Sequence, residues 1–254
     1  MKLKGLILFL ILPLLPLAAA ADDDDVFRLR GSLGLMIYGG PLYEGTDRYI
    51  PYYFPQATVE YGPFFASLMQ GVGAYVPVNE SHSIIFIPAI RWRVMRNLEG
   101  FDDTIDFLGN IRPVATLNSV YRVENWIFNF RITEGLAEDN LGGMYNLGIA
   151  WHSDIGKKWN VGIYSTLIYG DSTYNMNYFG INNYEHMRFG YDLYTPGAGF
   201  KSVDIGTVIQ YRLTPNWSLE WSFEYLRLVG VAARSPMAVT PNYFVFGAGA
   251  RYHF

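Results

Sequence analysis

The sequence predicts an all-β fold, a closed antiparallel transmembrane β-barrel of about 12 strands with 10 as the fallback, and three observations predict it. First, the stretch Asn242 to Phe254 alternates. Phe244, Phe246, Ala248, Ala250, Tyr252 and Phe254 share one face of an extended strand; Tyr243, Val245, Gly247, Gly249, Arg251 and His253 share the other. A barrel in an outer membrane needs the aromatic face against lipid and the mixed face toward a polar lumen. Second, the chain opens with an export leader. Lys2 and Lys4 precede an apolar run from Gly5 to Leu17, and Ala18 to Ala21 offer small residues for cleavage, the pattern of a signal peptide. Third, the chain is 17% aromatic, with 20 Tyr, 17 Phe and 26 Gly, yet no later apolar run reaches the roughly 20 residues of a spanning helix.

These observations divide the chain into a signal peptide (1–21), an acidic tail (22–26) and a barrel (27–254). The leader run is shorter than a membrane helix, carries Pro13 and Pro16, and ends before Asp22 to Asp25. The formal charge of −4 falls to −6 because the leader holds Lys2 and Lys4 and no acid. A mildly acidic chain argues against a nucleic-acid partner. With no cysteine, neither a disulfide framework nor a lipidated cysteine is available.

The first strand is predicted over 27–37, where Phe27, Leu29, Leu33, Leu35 and Ile37 oppose Arg28, Arg30, Ser32, Gly34 and Met36. A turn follows over 39–47, with the Gly and Pro punctuation of a loop. Segments 53–61 and 64–76 read as a hairpin around Gly62-Pro63. In 83–95, Ile84, Phe86, Ile90 and Trp92 oppose Arg91 and Arg93, and Pro88 suits a bulge or strand end better than a central ladder. Residues 97–110 are polar and loop-like. The strand 111–123 gathers Arg112, Thr116, Asn118 and Arg122 on one side. In 126–133, Trp126, Phe128, Phe130 and Ile132 stand against Asn129, Arg131 and Thr133. Segments 144–153 and 159–170 repeat the scheme.

Alternation lapses from 171 to 199, too long for an ordinary hairpin loop. It returns over 200–213, where Val203, Ile205, Ile209 and Tyr211 oppose Asp204, Gln210 and Arg212. It is clearest over 217–225, where Trp217, Leu219, Trp221, Phe223 and Tyr225 oppose Ser218, Glu220, Ser222 and Glu224. Eleven candidates result. Single-chain bacterial barrels usually have an even number, so a twelfth strand is expected inside 171–199. The rival fold is a secreted β-sandwich, whose strands also alternate but carry Val, Ile and Leu inward.

With these motifs in place, the chain resembles the MipA/OmpV family of outer-membrane proteins. The matching stretches are PLYEGTD (41–47), YFGI (178–181), YTPGAGF (194–200), RLVGVAARSP (227–236) and GAGARYHF (247–254). The resemblance implies a barrel in the outer membrane of a Gram-negative bacterium, in contact with its lipid and lipopolysaccharide. It also implies a scaffold that binds a murein lytic transglycosylase and a penicillin-binding protein. The chain departs from the family pattern at HMRFGYDL (186–193) and at Val231 and Arg234, so loop specificity need not transfer.

No catalytic, cofactor or metal residues are predicted. An esterase needs a nucleophile and a base within hydrogen-bond reach. His152 and Ser153 are strand neighbours and point to opposite faces; His152 and Asp154 could share one, but no nucleophile is named. Ser81-His82-Ser83 has the same weakness. Asp22–Asp25 and Asp102-Asp103 lack the spacing of a calcium loop. The lumen-lining candidates are Arg28, Arg30, Arg91, Arg93, Arg112, Arg122, Arg131, Arg212, Arg251, Glu220 and Glu224, with Glu60 and Asp204 on the same parity. They read either as a lattice of ion pairs filling a narrow bore or as a positive pore lining that favours anions. Three functions follow: a scaffold for peptidoglycan machinery, a narrow channel, and an adhesin acting through 171–199. An envelope lipase is a weaker fourth.

Overall fold

The computed structural model describes residues 28–79, 81–94, 111–136 and 141–254. The leader, the acidic tail, the 97–110 loop and Asp102-Asp103 lie outside the described residues. Strands β1 (Leu29–Pro41), β2 (Tyr49–Tyr61), β3 (Phe64–Ser67), β4 (Gly71–Ala74), β5 (Val76–Pro77), β6 (Ile84–Val94), β7 (Ile111–Val123), β8 (Trp126–Gly135), β9 (Met144–Ile155) and β10 (Trp159–Gly170) follow in order. After helices α1 (Ser172–Phe179) and α2 (Asn183–Phe189) come β11 (Gly199–Arg212), β12 (Trp217–Leu228), the short helix α3 (Gly230–Ala233) and β13 (Asn242–His253).

Every pairing is antiparallel, and β1 pairs with β13 in a ladder from Ser32↔His253 to Gly39↔Phe246. The sheet closes where β4 and β5 meet β6. Gly73 lies opposite Ala89 and Val76 opposite Phe86, so β4 and β5 keep one register and are two pieces of one strand. The chain is therefore a closed antiparallel barrel of 12 strands. The break between β4 and β5 falls opposite Pro88, which has no N–H to offer the ladder. Pro88 itself stays inside β6; the interruption appears in its neighbour.

The count of twelve holds, but the twelfth strand is not in 171–199. That segment carries α1 and α2. The extra strand comes from 64–76, which folds as β3, a turn at 68–70, and β4. Gly71 makes this turn feasible: its φ is +80°, and a Cβ there would meet the Ile90 carbonyl oxygen at 1.9 Å. Alternation alone hides a four-residue strand, because two tight hairpin arms share the parity of one longer run.

The outer surface carries an apolar band. Leu33, Leu35, Ile37, Phe128, Phe130, Phe223, Phe244 and Phe246 are all exposed, as lipid-facing residues must be in a barrel. Aromatic pairs cross the ladders on this face, including Trp217–Tyr252 at 5.2 Å and Trp159–Tyr211 at 4.6 Å. No described helix is long and apolar enough to cross a membrane; the strands do the crossing. Turns at 62–63, 124–125, 156–158 and 213–216 are short and share one end with the chain terminus. The longer connections 171–198 and 229–241 share the other. Short periplasmic turns and longer outer loops orient the barrel.

Candidate functional site

The interior departs from the polar bore that alternation predicts. Inward positions of the outer half carry Met36, Tyr38, Tyr52, Phe54, Leu226, Leu228, Tyr243 and Val245, all buried in one cluster with Tyr174 and Phe179 of α1. The 171–199 segment thus folds into the barrel mouth. Asp171 caps α1, its carboxylate accepting from Tyr174 N and Gly143 N, each at 2.6 Å. The Asn175 side chain, fully buried, donates to the carbonyls of Gly170 at 2.9 Å and Gly197 at 3.0 Å. Ser235 donates to the Phe179 carbonyl at 2.7 Å, and Tyr194 to that of Val231 at 2.7 Å. These bonds tie 171–199 to 229–241 as one plug. Burial within it pushes the Tyr174 and Tyr178 phenols above their ordinary range.

Among the described residues, ion pairing is confined to one side of the bore. Lys201 on β11 meets Glu44 of the β1–β2 loop at 2.6 Å, with side chains 6% and 23% exposed. Arg251 reaches Glu220 at 2.8 Å and Gln56 at 2.6 Å. Gln210 donates to Glu220 and Ser218, both at 3.2 Å. Asp204 and Glu224 are also buried on this wall, with Tyr164 beside Glu224. The arrangement joins β2, β13, β12 and β11 through a polar belt.

The opposite wall is cationic. Arg91 and Arg93 of β6, Arg122 of β7 and Arg131 of β8 project inward and form no ion pair with a described residue. Arg93 donates to the carbonyls of Leu141 at 3.0 Å and Gly142 at 2.9 Å, and its guanidinium lies 5.2 Å over the Tyr174 ring. Arg91 donates to the Met69 carbonyl at 2.8 Å. Arg131 is 4% exposed. Strands β6 and β12 stand half a circuit apart in the sheet order, so positive and negative walls face each other. Arg28, Arg30 and Arg212 sit exposed at the periplasmic ends of their strands, and Arg112 is half-buried at the start of β7, donating to the Ile111 carbonyl at 3.2 Å.

Strand parity does not identify Glu44, Lys201, Tyr164 and Asp171 as members of these networks. Glu44 and Asp171 lie in connections, where strand parity assigns no face. Among the histidines, His152 makes no side-chain hydrogen bond with a described residue, and Asp154 accepts instead from Asn160 at 3.0 Å. Ser81 and Ser83 bond each other and Asn79. The structure does bring the Ser218 hydroxyl within 2.9 Å of His253 Nε2. No carboxylate among the described residues orients that imidazole, as a nucleophile–base pair requires. Among the described residues no cluster could hold a metal ion.

The family model described as MltA-interacting protein MipA matches residues 33–254. A search among curated proteins returned no match. Similar solved structures include a NanC porin, at TM-score 0.43 and 11% identity over 89% of this chain and 99% of that one. OmpT of Vibrio cholerae follows, at 0.40 and 9% over 89% and 97%. Ail, the attachment invasion locus protein of Yersinia pestis, gives 0.24 and 11% over 89% and 98%.

Proposed function

The chain belongs to the MltA-interacting protein MipA family, and from that premise we propose that this outer-membrane barrel is a non-enzymatic anchor for a murein lytic transglycosylase. The family match over nearly the whole barrel carries the reading. A penicillin-binding protein is the second proposed partner. The plugged mouth supports the reading: with α1 among Tyr52, Tyr243 and Leu228, the outer half of the bore is a packed core. That leaves the periplasmic rim to meet partners. Its short turns present Glu124, Lys157, Lys158 and Arg212, all exposed, on rigid ladder ends. The test is capture of periplasmic proteins on the mature barrel in detergent. Recovery of a lytic transglycosylase, weakened by Lys157→Glu with Lys158→Glu, supports the anchor; recovery of no murein enzyme refutes it.

A second reading, a narrow anion-preferring channel, draws on the cationic wall of Arg91, Arg93, Arg122 and Arg131, which form no ion pair with a described residue. Planar-bilayer recording before and after deletion of residues 172–189 tests it. Small anion-selective conductance supports it, and cation preference overturns it. An adhesin reading rests on α2, which presents Tyr184 and Met187 outward at 53% and 78% exposure. Surface binding that survives loss of α2 removes it.

A further inference from the structure

Among the described residues, the barrel wall is incomplete in its outer half. Strand β2 runs thirteen residues, but β3 pairs with it only from Thr58 to Tyr61. Beyond the turn at 68–70, β4 rejoins β6 only as far as Val72↔Ile90. Above that level, residues 49–56 of β2 and 91–94 of β6 have no ladder partner across the gap among the described residues. Two strand positions are missing, so with strands about 4.8 Å apart the opening is about 14 Å wide. The flanking outward side chains Tyr53, Leu68, Ile90 and Trp92 are exposed and apolar or aromatic, which sets the opening in the lipid-facing band.

The sequence has adapted β2 to this edge. Arg48 O accepts from Leu42 N, so even-numbered β2 residues direct their backbone groups to β1. Ala57 O accepts from Leu68 N, so odd-numbered residues face the gap. Pro51 and Pro55 are odd, and neither has an N–H. An unpaired donor in hydrocarbon is costly, and two are removed by composition; proline on an edge strand is the expected device. An edge blunted toward donors does not invite a protein strand, which argues against β-augmentation here.

Directly behind the opening lie two cations. Arg91 holds the carbonyl of Met69, in the turn that floors the gap, at 2.8 Å. Arg131, almost fully buried and with no hydrogen bond to another described residue, stands within electrostatic range of Arg91. Two inward-facing cations on β6 and β8, with no acid paired to either among the described residues, call for an anion, and guanidinium forks match the oxygens of a phosphate.

We propose that this opening is a lateral binding site for a phosphate-bearing lipid of the outer leaflet. The phosphate sits between Arg91 and Arg131, and the acyl chain leaves through the gap over the β3–β4 hairpin. This stands apart from the anchor reading, since it uses the wall and not the periplasmic rim. The test is native mass spectrometry of the mature barrel in dodecyl maltoside, titrated with dodecyl phosphate and, separately, with inorganic phosphate. One dodecyl phosphate per barrel is expected, held at least tenfold more tightly than inorganic phosphate. Arg131→Gln removes a cation that pairs with no described residue, so the barrel keeps its heat-modifiable mobility while dodecyl phosphate binding falls at least tenfold. Leu68→Trp, at the floor of the gap, weakens dodecyl phosphate and leaves inorganic phosphate unchanged. Equal binding of both ligands overturns the lipid assignment. Binding of neither, or binding indifferent to Arg131→Gln, overturns the site.

Discussion

Glu44→Gln tests whether the buried ion pair holds the β1–β2 loop against the barrel. The substitution keeps shape and removes the charge opposite Lys201, whose side chain is 6% exposed. Breaking a buried pair by deleting one partner typically costs about 3–5 kcal/mol. Two features reduce this here. Glu44 is 23% exposed, and Asp204 lies close enough to Lys201 to offset part of the lost charge. We therefore expect a loss of about 2–3 kcal/mol. At a urea slope of about 2 kcal/mol/M, the unfolding midpoint falls by about 1 M. The assay is equilibrium unfolding in lipid vesicles, followed by tryptophan fluorescence. Glu44→Leu with Lys201→Met should recover most of the loss, because an apolar pair of similar volume needs no charge partner. A Glu44→Gln midpoint equal to that of the parent refutes the reasoning.

Three further outcomes are expected. Asp171→Ala removes the α1 cap and should cost about 1 kcal/mol locally, read as faster chymotrypsin cleavage at Tyr174 and Tyr178 with the strands still intact. Gly71→Ala forces a Cβ against the Ile90 carbonyl at a positive φ and should lower thermal stability by more than the roughly 1 kcal/mol of an ordinary Gly–Ala exchange, seen as a lower temperature for loss of heat-modifiable mobility. Phe223→Arg, on the exposed lipid face between Phe244 and Phe246, should destabilise the barrel by about 2–4 kcal/mol if that face lies near the bilayer midplane. An unchanged midpoint in vesicles would show that this face does not meet hydrocarbon.

Strand identity and the outward face were legible in the chain itself. Trp217 to Tyr225 and Phe244 to Phe254 alternate because every outward position meets the same solvent, hydrocarbon, whatever lies elsewhere in the fold. A uniform environment at a period of two leaves a uniform signal. The same parity puts Arg91, Arg93 and Arg131 on the inward face, but it is silent on what each meets there.

Only the closed barrel decided those partners. Lys201 and Glu44 are 157 residues apart in the chain, and Arg251 and Gln56 are 195 apart; no local pattern links them. The 171–199 segment lacks strand period because Tyr174 and Phe179 bury themselves as a helix in a mouth built by other strands. The half-height hairpin at 64–76 was equally hidden, since its turn depends on Gly71 passing close under Ile90 of a neighbouring strand. Lipid outside acts on each residue separately and can be read one residue at a time. Packing inside acts between residues brought together by closure, and only the closed structure brings them together.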